Sequence, residues 1–163
     1  MNEFDAISRM ESPIGRLEII ARGDAIVGLT IERDGSLPHD STPTKNSAVT
    51  KRAVAQLGEY FAGKRREFNV PVSLAGTPFQ TSVWHALTEI PFGDVRSYGD
   101  VGMTTGRSTA GRAVGGAVGA NPIPIIVPCH RVLASDGRIT GYSGGNGIPT
   151  KVWLLDHEGI AHR

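Results

Sequence analysis

Residues 97–121, SYGDVGMTTGRSTAGRAVGGAVGAN, decide the architecture of the second half of the chain. Ser97 is an N-cap by residue type, and the helical segment it opens runs to about Met103. Thr104-Thr105-Gly106 makes a tight turn, and Ser108 caps a second segment that reaches about Ala120. Two short helices joined by a glycine-containing turn predict a helix-turn-helix. The second helix carries Gly111, Gly115 and Gly119 four residues apart on one face, with Gly116 beside them. Each interior glycine costs about 1 kcal/mol relative to alanine. Such a cost is tolerable where backbone approaches something closely, either a neighbouring helix or a groove of DNA. The polar flanks exclude a membrane dimer motif.

Upstream, Thr77-Pro78-Phe79-Gln80 is a helix start with a Thr cap, proline at the first helical position and Gln to complete a capping box. Val83, Trp84, Leu87 and Ile90 form the buried stripe of that helix, and Pro91 to Asp94 ends it. Downstream, residues 121–134 form an apolar strip with prolines at 122, 124 and 128, which predicts an extended, rigid run delivering Cys129-His130-Arg131. A glycine-rich loop follows at Thr140 to Gly147, then a last helix from Pro149 to Glu158 anchored by Trp153, Leu154 and Leu155.

The first half reads differently. Strands are predicted near Phe4–Met10, Leu17–Ala21 and Ala25–Ile31, with breaks at Ser12–Gly15 and Arg22–Asp24. Residues 34–46 read as an exposed polar loop. Val49, Ala53, Leu57, Tyr60 and Phe61 share one helical face, and Gly63 stops that helix. Lys64, Arg65 and Arg66 read as a solvated helix end. Phe68, Val70, Val72 and Leu74 then alternate like an edge strand. The fold class is α+β: an N-terminal α/β lobe over 1–75, an antiparallel meander plus helix, and a mainly helical domain over 76–163.

The 163 residues hold 17 Lys and Arg against 16 Asp and Glu, a net charge of +1. Bulk charge therefore does not direct the chain to nucleic acid, and any DNA-binding face depends on local placement of cations. No apolar run is long enough for a bilayer, and no secretion signal is visible, so a cytoplasmic protein is expected. With the lone Cys129, no disulfide can form within the chain and a thiolate-rich zinc site is excluded. The cysteine is either a small buried hydrophobe or a nucleophile. His130 and Arg131 beside it favour the second, because cations and donors should lower the thiol's pKa.

Val127-Pro128-Cys129-His130-Arg131-Val132 resembles the active-site signature of the O6-alkylguanine-DNA alkyltransferases. Ser97-Tyr98-Gly99, Ala110 to Gly115, Asn121-Pro122, Gly141 to Gly145, Lys151 with Trp153 to Leu155, and Glu158-Gly159 match in the same order. The likeness covers Thr77 to Gly159 closely, and the meander plus helix ahead of it is similar to the family's ribonuclease H-like lobe. It implies an irreversible, single-turnover transfer of the alkyl group from O6-alkylguanine in double-stranded DNA to Cys129, with O4-alkylthymine left open as a second substrate. His130 would take the thiol proton through a bridging water, with Glu158 orienting it. Asn121 would hold the turn after the recognition helix, Tyr98 would bond the flipped guanine or its phosphate, and Lys151 would support the leaving group. Arg112 would fill the place of the extruded nucleotide, with Ser97, Ala113 and Gly115 also on DNA. Val132, Tyr142 and Ser143 would bind the base. No cofactor, no metal and no membrane are implied, and the protein would act as a monomer, with clustering on DNA left open.

Three departures from the family pattern stand out. Asn146 to Pro149 is about two residues longer than usual, which predicts a flexible lip on the alkyl pocket and bears on where Lys151 sits. Gly102 and Gly111 stand where alanine is usual. The zinc modules of some relatives have no counterpart. Rival readings are a lesion-binding protein without catalysis, a helix-turn-helix regulator and a cysteine hydrolase.

Overall fold

The computed structural model describes residues 3–106 and 111–163, which fall into two units. The N-terminal unit comprises residues 1–74 together with 144–146. Its antiparallel meander is β1 (Ala6–Met10), β2 (Leu17–Arg22) and β3 (Ala25–Ile31), in the order β1-β2-β3. Ile7 pairs with Ile20 and Ile19 with Leu29, and a bulge between Ile20 and Ala21 shifts the register. Helix α1 (Ala48–Phe61) lies against this sheet and buries Val49, Ala53, Leu57 and Tyr60. Burying a side chain such as Val49 or Leu57 contributes about 1.5–3 kcal/mol relative to exposure.

The loop at 34–46 is more than an exposed connection. Glu18, on the central strand, is buried, and a buried carboxylate must find partners. It accepts from the backbone N–H of His39 at 3.0 Å and pairs with His39 Nδ1 at 2.7 Å. The Arg9 guanidinium donates to the carbonyls of His39 and Thr42, and Leu37 is buried. Polar composition pointed to solvent, whereas one buried acid draws the loop in.

The edge strand expected at 68–74 does not form. Its alternation is real, but it pairs only through a single parallel bridge of Val72 to Ile26. Pro71 has no amide to donate and offers only its carbonyl, to Ile26 N at 2.9 Å. The glycine-rich loop is not free throughout either. Gly145 is buried, and its carbonyl accepts from Arg33 Nε at 2.9 Å.

The C-terminal unit comprises residues 75–143 and 147–163. Helix α2 (Pro78–Thr88) starts on the predicted capping box: Thr77 Oγ1 accepts from Gln80 N at 3.1 Å and Gln80 Oε1 from Thr77 N at 3.0 Å. Strand β4 (Arg96–Ser97), which pairs in parallel with β5 (Val132–Leu133) further along the chain, precedes α3 (Tyr98–Thr104), which Ser97 caps. Helix α4 is described over Gly111–Gly119, and the expected cap Ser108 lies outside the described residues, as does Ala110. α2, α3 and α4 pack on one another, and Trp84 Nε1 donates to the carbonyl of Ala117 at 2.8 Å. Helix α5 (Ile148–His157) closes the unit. Among the described residues no helix is long and apolar enough to cross a membrane.

Candidate active site

The proline-rich strip turns rather than extends. Asn121, just past α4, donates from Nδ2 to Val127 O at 2.7 Å and accepts from Ile123 N at 3.0 Å. Between these anchors Ile126 N bonds Pro124 O at 2.9 Å around Ile125, whose φ of 75° is strained for a β-branched residue. Cys129 N bonds Val127 O at 2.8 Å around Pro128, whose φ of −82° and ψ of 67° make an inverse γ-turn. Proline excludes helix here, as expected, but two successive tight turns fold the strip instead of extending it. They place Cys129 at the start of a single 3₁₀ turn, Cys129–Arg131.

Cys129 is buried in the wall of a cleft of about 560 Å³ that is also lined by Tyr98, Gly111, Gly115, Gly119, Tyr142, Ser143 and Lys151. The thiol does not have the depressed pKa expected from its neighbours in sequence. Burial pushes it up, opposed by a hydrogen bond with Asn121, the positive charge of Lys151 and a hydrogen bond with Tyr142. At neutral pH it is therefore a thiol that needs a base.

A candidate for that base stands next in sequence. His130 is completely buried, and its Nε2 lies 2.6 Å from Glu158 Oε2. Burial lowers the pKa of the imidazole despite the favourable carboxylate, so the ring is neutral. Glu158 is ionised: burial alone would push its carboxyl up, but the bonds from His130 and Arg131 outweigh this and hold it well below the usual range. Nε2–H consequently donates to Glu158 and Nδ1, buried with no hydrogen-bond partner among the described residues, is the acceptor nitrogen. Arg131 turns away from the thiol. Its Nε and Nη2 donate to Glu158 at 2.8 and 3.0 Å and its Nη1 to Ile90 O at 2.7 Å. This anchoring role went unread in the sequence, where Arg131 was only a cation beside Cys129.

The remaining expected residues divide in two. Lys151, despite the longer loop before it, reaches the cleft and donates from Nζ to Val132 O at 2.7 Å and Gly141 O at 3.2 Å. Its burial lowers its pKa to about 8. Tyr98 shares a hydrogen bond with Thr140 Oγ1 at 3.0 Å, and Ser143 Oγ donates to Gly119 O at 2.7 Å. Val132 is buried, with its carbonyl on Lys151. Ser97 keeps its hydroxyl in the α3 cap, accepting from Asp100 N at 3.0 Å. Arg112 and Ala113 are exposed on α4 and line no part of the cleft. Among the described residues outside α4's own backbone, a Cβ added to Gly111, Gly115, Gly116 or Gly119 would meet no atom within 4 Å. No described helix packs closely enough against these glycines to require them. Thr140 is a participant that the sequence did not mark, being one hydroxyl at the edge of a glycine-rich run.

Fold and site together define a helix-turn-helix protein with a buried cysteine and a histidine–glutamate pair, whose second helix lines the cysteine's cleft. Residues 78–160 match the family model for the 6-O-methylguanine DNA methyltransferase DNA binding domain, and residues 7–74 match that family's ribonuclease-like domain. A methylated-DNA–protein-cysteine methyltransferase of Mycobacterium tuberculosis is 45% identical over 149 residues, 91% of this chain and 89% of the relative. The constitutive enzyme of that name from Bacillus subtilis is 41% identical over 157 residues, 94% of each chain. The crystal structure of M. tuberculosis OGT in complex with DNA superposes with a TM-score of 0.84 at 43% identity, covering 94% of this chain and 92% of that one. The chain belongs to the 6-O-methylguanine DNA methyltransferase family.

Proposed function

We propose that this protein performs direct-reversal repair of DNA, moving the alkyl group of O6-alkylguanine irreversibly onto Cys129. The observation that carries the reading is a buried thiol in the wall of a cleft shared with α4, followed in sequence by a neutral histidine whose acceptor nitrogen has no partner among the described residues. In the reaction Sγ attacks the alkyl carbon, the carbon–O6 bond breaks, and its electron pair leaves with the guanine. His130 takes the thiol proton, directly or through one water, while Glu158 fixes the imidazole and stabilises the charge it gains. A proton from Tyr98 or Lys151, both lining the cleft, makes the guanine a better leaving group. Regeneration of a thioether has no chemistry here, so each molecule acts once.

O6 is unreachable inside a duplex, and the base must leave the stack at a cost of about a few kcal/mol, least for a poorly paired lesion. Exposed Arg112 fills the gap, while Ala113 and the bare face of Gly115 let α4 lie close to the minor groove. Tyr142, Ser143 and the main chain of Val132 receive the base. The protein acts on double-stranded DNA as a monomer.

Intact mass before and after mixing with a duplex carrying O6-methylguanine tests this. One gain of about 14 Da per chain on Cys129, after which reaction stops, is expected. Cys129→Ser should abolish the gain while keeping lesion binding. Repeated turnover would favour the hydrolase reading, and mass gained on another residue would overturn the assignment of Cys129.

A further inference from the structure

One side of the cleft, Thr140–Ser143, belongs to the stretch 134–147, which contains no helix or strand. Such a segment, with Gly137 at φ 83° and a second glycine at 141, has to be held by something outside itself to present a fixed surface to a base. Within the cleft it is held by Tyr98 at Thr140, by Lys151 at Gly141 and by the Ser143 hydroxyl on the carbonyl of Gly119. All of these groups line the cleft, so a ligand that engages them competes for the same hydrogen bonds.

A further hold lies outside the cleft. Gly159, at φ 72°, ends α5 and reverses the chain. Ile160 is buried with Leu133 and Leu155, and Ile139 packs against them. Arg163 N then donates to Gly137 O at 2.9 Å, and Ile139 N donates to Arg163 O at 3.1 Å. His162 Nε2 sits 2.8 Å from Asp156 Oδ1, fixing the strap to α5. The hydrogen bonds to Gly137 and Ile139 end one residue before Thr140, and none of Ile160–Arg163 lines the cleft.

We propose that Ile160–Arg163 is a positioning strap for the base-binding wall, pairing its backbone with Gly137 and Ile139 so that Thr140–Ser143 stays in place while Tyr98 and Lys151 exchange partners. This rests on the alkyl-transfer reading. The strap pre-organises the wall: its loss weakens capture of the base more than it alters the thiol chemistry, because His130 and Glu158 bond each other and the Cys129 thiol is held by Asn121 as well as by Tyr142 of the wall.

Arg163→Pro removes the one amide that bonds Gly137 O, whereas Arg163→Ala keeps it. Deleting 161–163 removes both backbone bonds. Single-turnover reaction with free O6-benzylguanine is followed as a function of its concentration. The half-saturating concentration should rise about fivefold in Arg163→Pro and further in the deletion, the worth of one or two backbone hydrogen bonds. The limiting rate should stay within about twofold, and Arg163→Ala should match the parent, which a general loss of structure would not produce. Equal behaviour of the Pro and Ala variants, or a fall confined to the limiting rate, overturns the strap while leaving alkyl transfer standing. A parent that gives no reaction overturns both.

Discussion

Removing Glu158 tests the structural and chemical halves of the site together. Its carboxylate is buried and accepts hydrogen bonds from His130, from Arg131 through both Nε and Nη2, and from Gly93 N at 3.1 Å. Glu158→Ala leaves the Arg131 guanidinium, itself nearly buried, with the Ile90 carbonyl and the face of Phe92 as its partners among the described residues. Breaking a buried charge pair in this way costs about 3–5 kcal/mol. For a chain of this size that lowers the melting temperature by roughly 6–20 °C. Glu158→Gln keeps the shape but turns a donor toward existing donors, costing about 2 kcal/mol and misorienting His130. Urea melts give the stability, and single-turnover rates below both melting points give the chemistry, where Gln should be slower by at least about tenfold. The pH dependence has a definite sign. The folded carboxyl titrates below its unfolded value of about 4.3, so its stabilisation is present above that pH and lost as pH falls through the folded value. Glu158→Gln should therefore flatten the acid limb of the stability curve. A loss below about 1 kcal/mol in Glu158→Ala would refute the argument, because the buried guanidinium would then be satisfied by other means.

Arg112 is exposed on α4, so Arg112→Ala should leave stability within about 0.5 kcal/mol. Repair of duplex DNA should fall far more than reaction with free O6-benzylguanine, which needs no flipping; equal losses would make Arg112 structural. Lys151 titrates at about 8, and its charge opposes the burial that raises the Cys129 thiol. The parent should therefore outpace Lys151→Met by a larger factor at about pH 7 than at about pH 9, where the parent lysine is also neutral, and a pH-independent ratio would rule out an electrostatic role.

Local chemistry made some of this protein readable without coordinates. The capping box of Thr77 and Gln80, the stripe of Val83, Trp84 and Leu87, the three strands and the α1 face depend on neighbours a few residues away, and that is what spacing encodes. The ordered run of motifs around Cys129 likewise placed the chain in its family. Where partners lie far apart in sequence, only tertiary structure decided. Burial reversed the expected direction of the thiol's pKa, because desolvation depends on everything packed around Sγ and not on the adjacent His130 and Arg131. Arg131 found Glu158 27 residues away, and Glu18 drew in a loop 21 residues on, since a buried charge must be paired wherever the pairing group happens to be. The strip of prolines could be recognised as non-helical, but its two tight turns depend on Asn121 clamping both ends. The glycines of α4 could be counted in the sequence. That no described residue outside the helix crowds the space beside them is a property of the packed chain alone.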